Sequence, residues 1–371
     1  MRYCKKCVMP DTRPGIVFNE RGICQGCIAE EKKDKTNWKE RYQELVRLCE
    51  KYRKINGDWY DCIIAVSGGK DSHFQTHVMK ELMNMNPLLV TVEDNFPMTK
   101  AGKHNIKNIS EEFGCDIVSL KPNIKVQKKL MRYCFEKYAK PNYYLDILIY
   151  SYPIHIAIKF GIPLIVYGEN VNYEYGGAQK EETYSALEQF YNDVASGIPL
   201  DELCIEGITL KDLNLCLYPT LEEMKQANLE PIYLSYFMRW STIGNYNFSK
   251  KRGFRDLSNE WKRSMMVCDF EQVDSRAYMI HPWLKYPKFG HGLATDMASR
   301  FIRYGLITRE EGIELIKSRD FDLDNLAIYD FCEFLGYPIT EFWDIVEKFY
   351  NRELFEKDIH GNWKLKNPIW Q

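Results

Sequence analysis

The chain has almost no net charge, no long apolar run and no repeated segment. Its 371 residues include 50 Lys and Arg against 52 Asp and Glu, which leaves a net charge of −2. This balance excludes a global electrostatic attraction to nucleic acid or to an anionic membrane. The most apolar stretch, residues 143–167, is interrupted by Asp146, Pro153, His155 and Lys159. It is therefore too broken for a membrane span, which requires about 20 apolar residues.

The first ten residues also lack the apolar segment of a secretory signal, so we expect a cytoplasmic chain with reduced thiols. Twelve cysteines would indicate a disulfide framework in a small secreted domain. In a long cytoplasmic chain, metal binding or core packing is more typical. The spacing of the cysteines has to distinguish these two uses.

Four cysteines near the N-terminus have the spacing of a zinc site. Cys4 and Cys7 form one C-x-x-C pair, and Cys24 and Cys27 form a second. Each pair lets one tight turn aim two thiolates at the same ion. We therefore predict a structural Zn²⁺ bound by these four residues, with reduced free thiols as the alternative. A redox role ranks lower, because neither pair opens a helix after a core strand.

Cys24 also lies in a G-x-C-x-G segment that matches the elbow of a glutaminase nucleophile. Such an elbow follows a buried strand and needs a histidine partner, whereas the residues before Cys24 are polar and the cysteine already belongs to a C-x-x-C pair. The other type of glutaminase needs an N-terminal cysteine, and the first here is Cys4. The sequence therefore predicts no glutamine-hydrolysing site of its own.

Strands and helices alternate along residues 38–237. The pattern predicts a helix from Trp38 that ends before Asn56, strands at 61–66, 88–93, 116–120 and 163–167, and a helix over 99–113; residues 232–237 are a candidate fifth strand. Alternation of this kind predicts an α/β fold with a doubly wound parallel sheet. Ligands then bind at the carboxyl ends of the strands, where the Ser67–Ser72 loop, residues 93–95 and residues 168–170 converge.

The loop Ser67-Gly68-Gly69-Lys70-Asp71-Ser72 lies between the first strand and a helix. Its glycines allow close backbone approach, and the first N–H groups of the helix have no internal acceptors, so the loop is suited to bind phosphate. It is neither a G-x-x-x-x-G-K-[ST] nor a G-x-G-x-x-G loop. It resembles the SGGxDS loop of the PP-loop ATP pyrophosphatase superfamily, which includes GMP synthetase, asparagine synthetase and tRNA thiolases.

After Phe237 we expect the strands to stop and a mainly helical region to follow, with a capping box at 308–311. Residues 239–291 are rich in Trp, Tyr, His and basic side chains. This density indicates either core packing or a pocket for sugar and phosphate. We divide the chain into residues 1–37 (zinc knuckle), 38–57 (linker helix), 58–238 (PP-loop domain) and 239–371 (substrate or partner region).

Several segments together resemble the N-acetyl sugar amidotransferase family. They are residues 4–14, 67–72, 167–170, 174–177 and 281–290. The resemblance implies a PP-loop fold of the adenine nucleotide alpha hydrolase-like type. It also implies ATP-dependent conversion of an acetamido group on a nucleotide-activated sugar to an acetamidino group, in bacterial O-antigen lipopolysaccharide or flagellin-glycan synthesis.

That chemistry suggests roles for individual residues. An amide oxygen is a poor leaving group, so ATP must first activate it, with Mg²⁺ offsetting the triphosphate charge. We assign ATP binding to Ser67, Gly68, Gly69, Lys70, Asp71, Ser72, Glu93, Gly168, Glu169 and Asn170. Asp71 and Glu169 are the candidate Mg²⁺ ligands, and Lys70, Asp71, Lys285 and Lys288 are the candidate catalytic residues.

Four further residues have two interpretations each. Arg300 and Arg303 could meet phosphates, but their spacing favours a solvated helix face. His281 and His291 could act as acid or base, or equally be structural histidines.

Because the chain itself offers no glutaminase nucleophile, we expect a separate glutaminase to supply ammonia, and no nucleic-acid partner. A tRNA-thiolating enzyme is the alternative, since some relatives combine this loop with cysteine knuckles. It would call for a basic surface and a sulfur-carrying C-x-x-C after the loop, and the later cysteines stand singly. A nucleotide-binding scaffold without catalysis would have a degraded loop, whereas this loop is intact.

Overall fold

Strand β1 is the centre of a five-stranded parallel sheet. The computed structural model describes residues 1–177, 182–187 and 197–371. The strands are β1 (Cys62–Ala65), β2 (Pro87–Val92), β3 (Ile117–Leu120), β4 (Leu164–Tyr167) and β5 (Glu230–Tyr233), in the order β3-β2-β1-β4-β5 with every neighbouring pair parallel. The predicted doubly wound sheet is confirmed.

Helices cover both faces of this sheet. Up to the end of the sheet they are α1 (Gln25–Lys33), α2 (Trp38–Tyr52), α3 (Lys70–His77), α4 (Lys100–Phe113), α5 (Ile124–Tyr138), α6 (Tyr143–Phe160), α7 (Val171–Glu174) and α8 (Leu221–Gln226). A π-helical turn, Val78–Leu82, continues α3, and short 3₁₀ turns occupy Leu200–Leu203 and Asn214–Cys216. The helix predicted from Trp38 ends at Tyr52, before Asn56 as expected, and the helix predicted over 99–113 starts one residue later.

The central strand is apolar throughout because both of its faces are covered. Ile63 packs into a cluster with Ile154 and Ala157 of α6, on one face of the sheet. Ile64 packs into a second cluster with Leu45 of α2 and Ile109 of α4, on the other face. A continuous apolar run, rather than an alternating one, is what two covered faces require.

The region after the sheet is mainly helical. It contains α9 (Leu234–Phe237), α10 (Thr242–Lys251), a 3₁₀ turn (Ala277–Met279), α11 (Ile280–Trp283), α12 (Lys285–Phe289), α13 (Leu293–Arg303), α14 (Arg309–Lys317), α15 (Asn325–Leu335) and α16 (Ile339–Glu347). The capping box predicted at Thr308 and Glu311 is present at the start of α14.

Two expectations about strands are wrong. The fifth strand ends at Tyr233, and residues 234–237 form α9 because the chain turns away there, with Ser235 N donating to Gly168 O at 3.0 Å. Strands also do not stop after Phe237, since β6 (Phe355–Lys357) and β7 (Trp363–Leu365) form an antiparallel hairpin.

The helical region shares its core with the sheet domain. Met131 and Phe135 of α5 lie in one cluster with Trp283, Phe331 and Phe342. The side chains on the two sides of residue 238 therefore bury each other. The four predicted domain boundaries stay predictions. No helix in the described part of the chain combines the length and the apolar character needed to cross a membrane.

Removing side-chain volume from the centre of the sheet should destabilise the whole protein. Ile64→Ala deletes buried methyl groups between two helices, so we expect the free energy of unfolding to fall by about 2–5 kcal/mol. Urea denaturation followed by tryptophan fluorescence measures the change. The matched control is Ile55→Ala, because Ile55 is 51% exposed; equal losses in the two variants would contradict the central position of β1.

Candidate active site

The phosphate-type loop lies where the winding of the sheet changes direction. From β1 the chain moves to β2 on one side, and β4 later packs against β1 on the other side. The Ser67–Ser72 loop follows β1, and Gly168, Glu169 and Asn170 follow β4. Connections that leave in opposite directions open a crevice between the two strand ends. The two predicted segments therefore border the same crevice.

The loop is held in shape by its own hydroxyl groups. Ser67 N donates to Ser72 Oγ at 3.0 Å, and Gly69 N donates to Ser67 Oγ at 3.3 Å. Gly68 has φ +81, and a Cβ there would lie 3.0 Å from Ile106 N of α4. Only glycine fits both the backbone conformation and this close approach. The loop is therefore formed before any ligand arrives.

Lys70 is buried between two carboxylates. Its Nζ lies 2.6 Å from Asp71 Oδ2 and 2.7 Å from Glu271 Oε1. Burial opposes the charged form, but Asp71 and Glu271 outweigh it and raise the pKa of Lys70 above its ordinary value. Only 3% of this residue is exposed. The ammonium group is thus a fixed positive charge at the start of α3 rather than a mobile surface lysine.

Asp71 and Glu169 are the two carboxylates next to the loop. Asp71 Oδ1 accepts a hydrogen bond from Asn245 Nδ2 at 2.7 Å, and Lys70 engages its other oxygen. Burial raises the pKa of Glu169 to about 7, and the charge of Asp71 adds to this shift. Both residues line the crevice. Glu169 is therefore divided between its charged and neutral forms near neutral pH.

Gly168 allows the end of β4 to approach the loop helix. A Cβ at this position would collide with Gln75 Nε2 of α3 and lie 3.2 Å from the ring of Trp240. Trp240 in turn packs edge-on against Phe74 of α3. The absence of a side chain at residue 168 is thus what brings Glu169 close to the loop.

The crevice has two lobes that meet at the loop. The first lobe has a volume of about 470 Å³ and the second about 480 Å³. Both lobes are lined by the loop, by the end of β2, by α6 and by the segment that follows Phe270; the shared residues are Ser67, Asp71, Thr91, Val92, Ile149, Glu169, Gln272 and Tyr278.

The first lobe extends past the end of β2 and contains three further carboxylates. Glu93, Asp94 and Asp274 line it together with the side chains of Lys103 and Met98. Burial raises the pKa of Asp94 to about 6 and that of Asp274 to about 7. The sequence placed Glu93 and Asp94 at a strand end. Asp274 was missed, because only tertiary packing brings its segment to the sheet.

The second lobe extends past the end of β4 and is rich in tyrosine and amide side chains. Its own lining residues include Asp146, Tyr150, Tyr167, Asn170, Asn172, Tyr233 and His281. The described residues that line either lobe include no cysteine. Asp146 was missed as a site residue. The signal was visible, since a carboxylate interrupts an otherwise apolar helix.

Three other residues singled out in the sequence lie away from this lining. Lys285 pairs with Asp296, and Lys288 Nζ donates to Ala139 O at 2.8 Å. Burial lowers the pKa of Lys288 to about 7. His291 is buried beside the ring of Phe289, and burial lowers its pKa to about 3. The structure does not bring these three together with the loop, and their assignment to substrate stays a prediction.

A solvated helix face for Arg300 and Arg303 is wrong. The guanidinium carbon of Arg300 lies 3.8 Å from the ring centre of Tyr175, and Arg300 Nη1 lies 3.6 Å from Glu271 Oε1. Arg303 Nη2 lies 3.6 Å from Cys24 Sγ. One face of α13 therefore contacts both the carboxylate that holds Lys70 and the cysteine cluster.

The four N-terminal cysteines form a buried cluster suited to a metal ion. Their sulfur atoms all lie within 4.8 Å of one another. Cys4 Sγ is 3.9 Å from Cys27 Sγ, and Cys7 Sγ is 3.7 Å from Cys24 Sγ. A tetrahedral ion with metal–sulfur bonds of about 2.3 Å separates its ligands by about 3.8 Å. The cluster can therefore hold a metal. The second pair opens a helix, α1, but no core strand precedes this helix, as the sequence indicates.

One family model matches the C-terminal third of the chain. Residues 241–368 match the model of a family described as "LPS biosynthesis protein WbpG-like, C-terminal domain". A curated relative, the uncharacterized protein MJ1599 of Methanocaldococcus jannaschii, is 30% identical over 118 residues. The match covers 32% of this chain and 42% of the relative, so the chain spans less than half of that protein.

Two solved structures show weak similarity. NMN synthetase from Francisella tularensis is 12% identical, with 61% of this chain and 100% of that one covered and a TM-score of 0.28. A predicted subunit of tRNA methyltransferase from Methanocaldococcus jannaschii is 14% identical, with 51% and 73% covered and a TM-score of 0.24. Similarities at this level carry no argument about what the crevice binds. The family match places a similarity on one part of the protein: residues 241–368 are similar to the C-terminal domain of WbpG-like LPS biosynthesis proteins.

Proposed function

We propose that the protein is an ATP-dependent amidotransferase of surface-polysaccharide synthesis, which converts the acetamido group of a nucleotide-activated sugar to an acetamidino group. The observation that carries the proposal is the pair of lobes meeting at the preformed Ser67–Ser72 loop. Two substrates can occupy such a crevice and react where the lobes join. The LPS biosynthesis family matched by residues 241–368 supports a sugar as one of them.

ATP occupies the first lobe in this proposal. Its phosphates lie at Ser67, Gly69 and the start of α3, where the free N–H groups of an eight-residue helix favour an anion. The rest of the lobe offers the apolar side chains of Met98 and Ile106 to a flat base. Lys70 does not point freely at phosphate. It fixes Asp71 and Glu271, so its charge acts from behind the loop.

The sugar occupies the second lobe. Aromatic rings stack on the apolar face of a sugar, while amide and hydroxyl groups bond its oxygens. Tyr150, Tyr278 and Asn172 provide this combination within one cavity. The acetamido group then lies toward Glu169 and Asp71, at the junction with the first lobe.

Mg²⁺ fits the junction only together with ATP. Asp71 and Glu169 are the two carboxylates beside the loop, and both oxygens of Asp71 already accept hydrogen bonds. In the described part of the chain, the four cysteines are the one group of three or more potential metal ligands clustered closely enough to hold an ion. An ion at Asp71 and Glu169 would complete its shell with phosphate oxygens and water, as Mg²⁺ commonly does. Such an ion supplies neutralising charge to the leaving pyrophosphate.

Zinc is our assignment for the cysteine cluster. Four thiolates and no open position are typical of a structural Zn²⁺ site. Burial of four thiolates around one divalent ion leaves net negative charge, which the guanidinium of Arg303 offsets at close range. Arg309 Nε also donates to Cys7 O at 3.2 Å, so the knuckle is tied to both α13 and α14.

The reaction proceeds in two steps. The acetamido oxygen attacks the α-phosphate of ATP, and pyrophosphate leaves toward the Ser67–Ser72 loop. Ammonia then displaces AMP from the resulting O-adenylyl imidate. The loop N–H groups stabilise charge that develops on the departing phosphates.

Ammonia comes from a partner protein in this proposal. Free ammonia is mostly ammonium at neutral pH, and the chain's one elbow-like cysteine, Cys24, is buried in the metal cluster. A thiolation reaction is less well supported, because no described cysteine lines the crevice to carry sulfur.

Changes to the loop should abolish the chemistry and preserve the fold. With ATP, ammonium and a panel of UDP- and CMP-linked acetamido sugars, wild type should form AMP and pyrophosphate and a product about 1 Da lighter, because NH replaces O. Ser67→Ala and Asp71→Asn should lower this rate by at least about 100-fold through lost phosphate positioning. Mass spectrometry and AMP quantification measure both effects.

The matched control for Ser67→Ala is Ser258→Ala, an exposed serine outside the crevice. It should keep the wild-type rate. Formation of ADP and phosphate by wild type would show that ATP is cleaved at the other bond.

The cysteine cluster should bind zinc stoichiometrically. Protein purified without chelator should contain about one Zn per chain, and Cys24→Ser should lose the metal and lower the melting temperature, because a structural ion contributes directly to folding. Metal analysis and differential scanning calorimetry provide the readouts. Cys204→Ser serves as control, since Cys204 is exposed and outside the cluster. If removing the metal from the wild-type protein leaves its melting temperature unchanged, the assignment of a structural zinc is refuted.

Supply of nitrogen by a partner gives a separate prediction. The isolated chain should use ammonium, faster as rising pH increases free ammonia, and should turn over negligibly with glutamine. Product formation with each nitrogen source is compared in the same assay. Efficient turnover on glutamine, with glutamate released by the chain alone, would overturn the need for a partner.

A further inference from the structure

The second lobe contains a carboxylate–histidine pair that the reaction described so far does not use. Asp146 belongs to the first turn of α6, and His281 belongs to α11. His281 Nε2 lies 3.5 Å from Asp146 Oδ2. Both side chains line the second lobe, together with Ser67, Asp71 and Glu169. The pair therefore opens onto the same space as the loop.

The backbone fixes which nitrogen of His281 carries the proton. Asn142 N donates to His281 Nδ1 at 3.3 Å, so Nδ1 is the acceptor nitrogen. In the neutral ring the proton is then on Nε2, the nitrogen that faces Asp146. The Nε2–H group of His281 thus lies 3.5 Å from the carboxylate of Asp146, where it can orient that side chain.

The surroundings of the pair make Asp146 a proton acceptor near neutral pH. Burial raises the pKa of Asp146 to about 7, with Lys140 opposing this shift. Burial and the charges of Lys288, Lys285 and Lys140 lower the pKa of His281 to about 3, so the imidazole stays neutral. Tyr150 and Tyr278 also line this lobe, and both hydroxyls stay protonated because burial, together with the charge of Asp146, raises their pKa.

We propose that Asp146 is the general base that removes the acetamido N–H proton, with His281 as its positioning residue. This inference rests on the proposed function and names the residue that makes the amide oxygen nucleophilic. No loop residue can do this as well. Asp71 is held by Lys70 and Asn245, and Glu169, which lines both lobes, is a candidate Mg²⁺ ligand at their junction.

The proton and electron balance is complete. As the amide N–H proton passes to Asp146, a bond forms between the amide oxygen and the α-phosphorus. The bond from that phosphorus to pyrophosphate breaks, and pyrophosphate leaves with the electron pair. Ammonia adds to the imidate carbon, and AMP leaves with the electrons of the C–O bond.

The new nitrogen then carries one proton more than it does in the product. Asp146 gives its proton to the sugar nitrogen and takes one from the new nitrogen, which yields the amidinium ion. It returns to its starting state by releasing one proton to solvent. Asp146 therefore serves both nitrogen atoms from one position.

Substitution at Asp146 provides the first test. Using the sugar that wild type turns over, Asp146→Asn should lower kcat for AMP formation by about 100-fold or more, with KM for ATP and sugar unchanged. At a constant concentration of free ammonia, the wild-type rate should rise with pH through about 7, because the base works in its deprotonated form, and this limb should disappear in Asp146→Asn. Asp116→Asn, an exposed aspartate beyond the crevice, is the matched control.

Substitutions at His281 distinguish a positioning role of this residue from a purely structural role. His281→Phe removes the donor to Asp146, so the rising limb of the pH profile should move to higher pH. His281→Gln keeps an amide that can donate to Asp146 and should move the limb back toward wild type. Circular dichroism and melting temperature establish that each variant is folded.

Three results would overturn the inference. If Asp146→Asn keeps the wild-type kcat and pH profile, or raises KM for the sugar with kcat unchanged, Asp146 is not the base. If wild type forms no AMP with any acetamido sugar of the panel, the proposed function fails and the inference fails with it. The wild-type assay alone therefore shows whether the proposed function has failed or only the inference about Asp146.

Discussion

A buried ammonium group must have its charge balanced, and the pairing of Lys70 with Asp71 and Glu271 is the constraint on which the rest of the site depends. Glu271 comes from a segment far along the chain, so balancing Lys70 requires the helical region to close over the sheet. Ser249 Oγ also donates to Lys70 O at 2.7 Å, which fixes α10 against α3. The same closure brings Phe270, Gln272 and Asp274 to the first lobe, and Gln272 lines the second lobe as well.

Much of the sheet could be predicted because both of its faces are covered. The run from Cys62 to Ala65 is continuously apolar, and the loop after it contains the glycines that only a strand-to-helix turn of this kind requires. The end of β5 could not be predicted, because the hydrogen bond from Ser235 to Gly168 decides it. The hairpin after residue 354 was missed since three-residue strands leave almost no periodic pattern.

The parts of the candidate site that are contiguous in the sequence could be predicted, and the parts assembled by long-range packing could not. The loop residues are contiguous, and their spacing is visible in the sequence. Glu271 and Asp274 reach the crevice only through long-range packing, and Arg303 reaches the cysteines from the opposite end of the chain. The near-zero net charge also gives no indication of the carboxylates that line the crevice.

Several of these carboxylates have raised pKa values, which limits their repulsion of an anionic nucleotide near neutral pH.

The contacts made by helix α13 restrict insertions and deletions within this helix. Asp296, Arg300 and Arg303 follow one another at intervals of four and three residues, so they share one face of the helix. Asp296 pairs with Arg13, Arg300 with the crevice, and Arg303 with the cysteine cluster. A single inserted or deleted residue within this stretch would turn everything beyond it by about 100° around the axis. Related sequences should therefore vary in the identity of the outward-facing residues between Asp296 and Arg303, and not in their number.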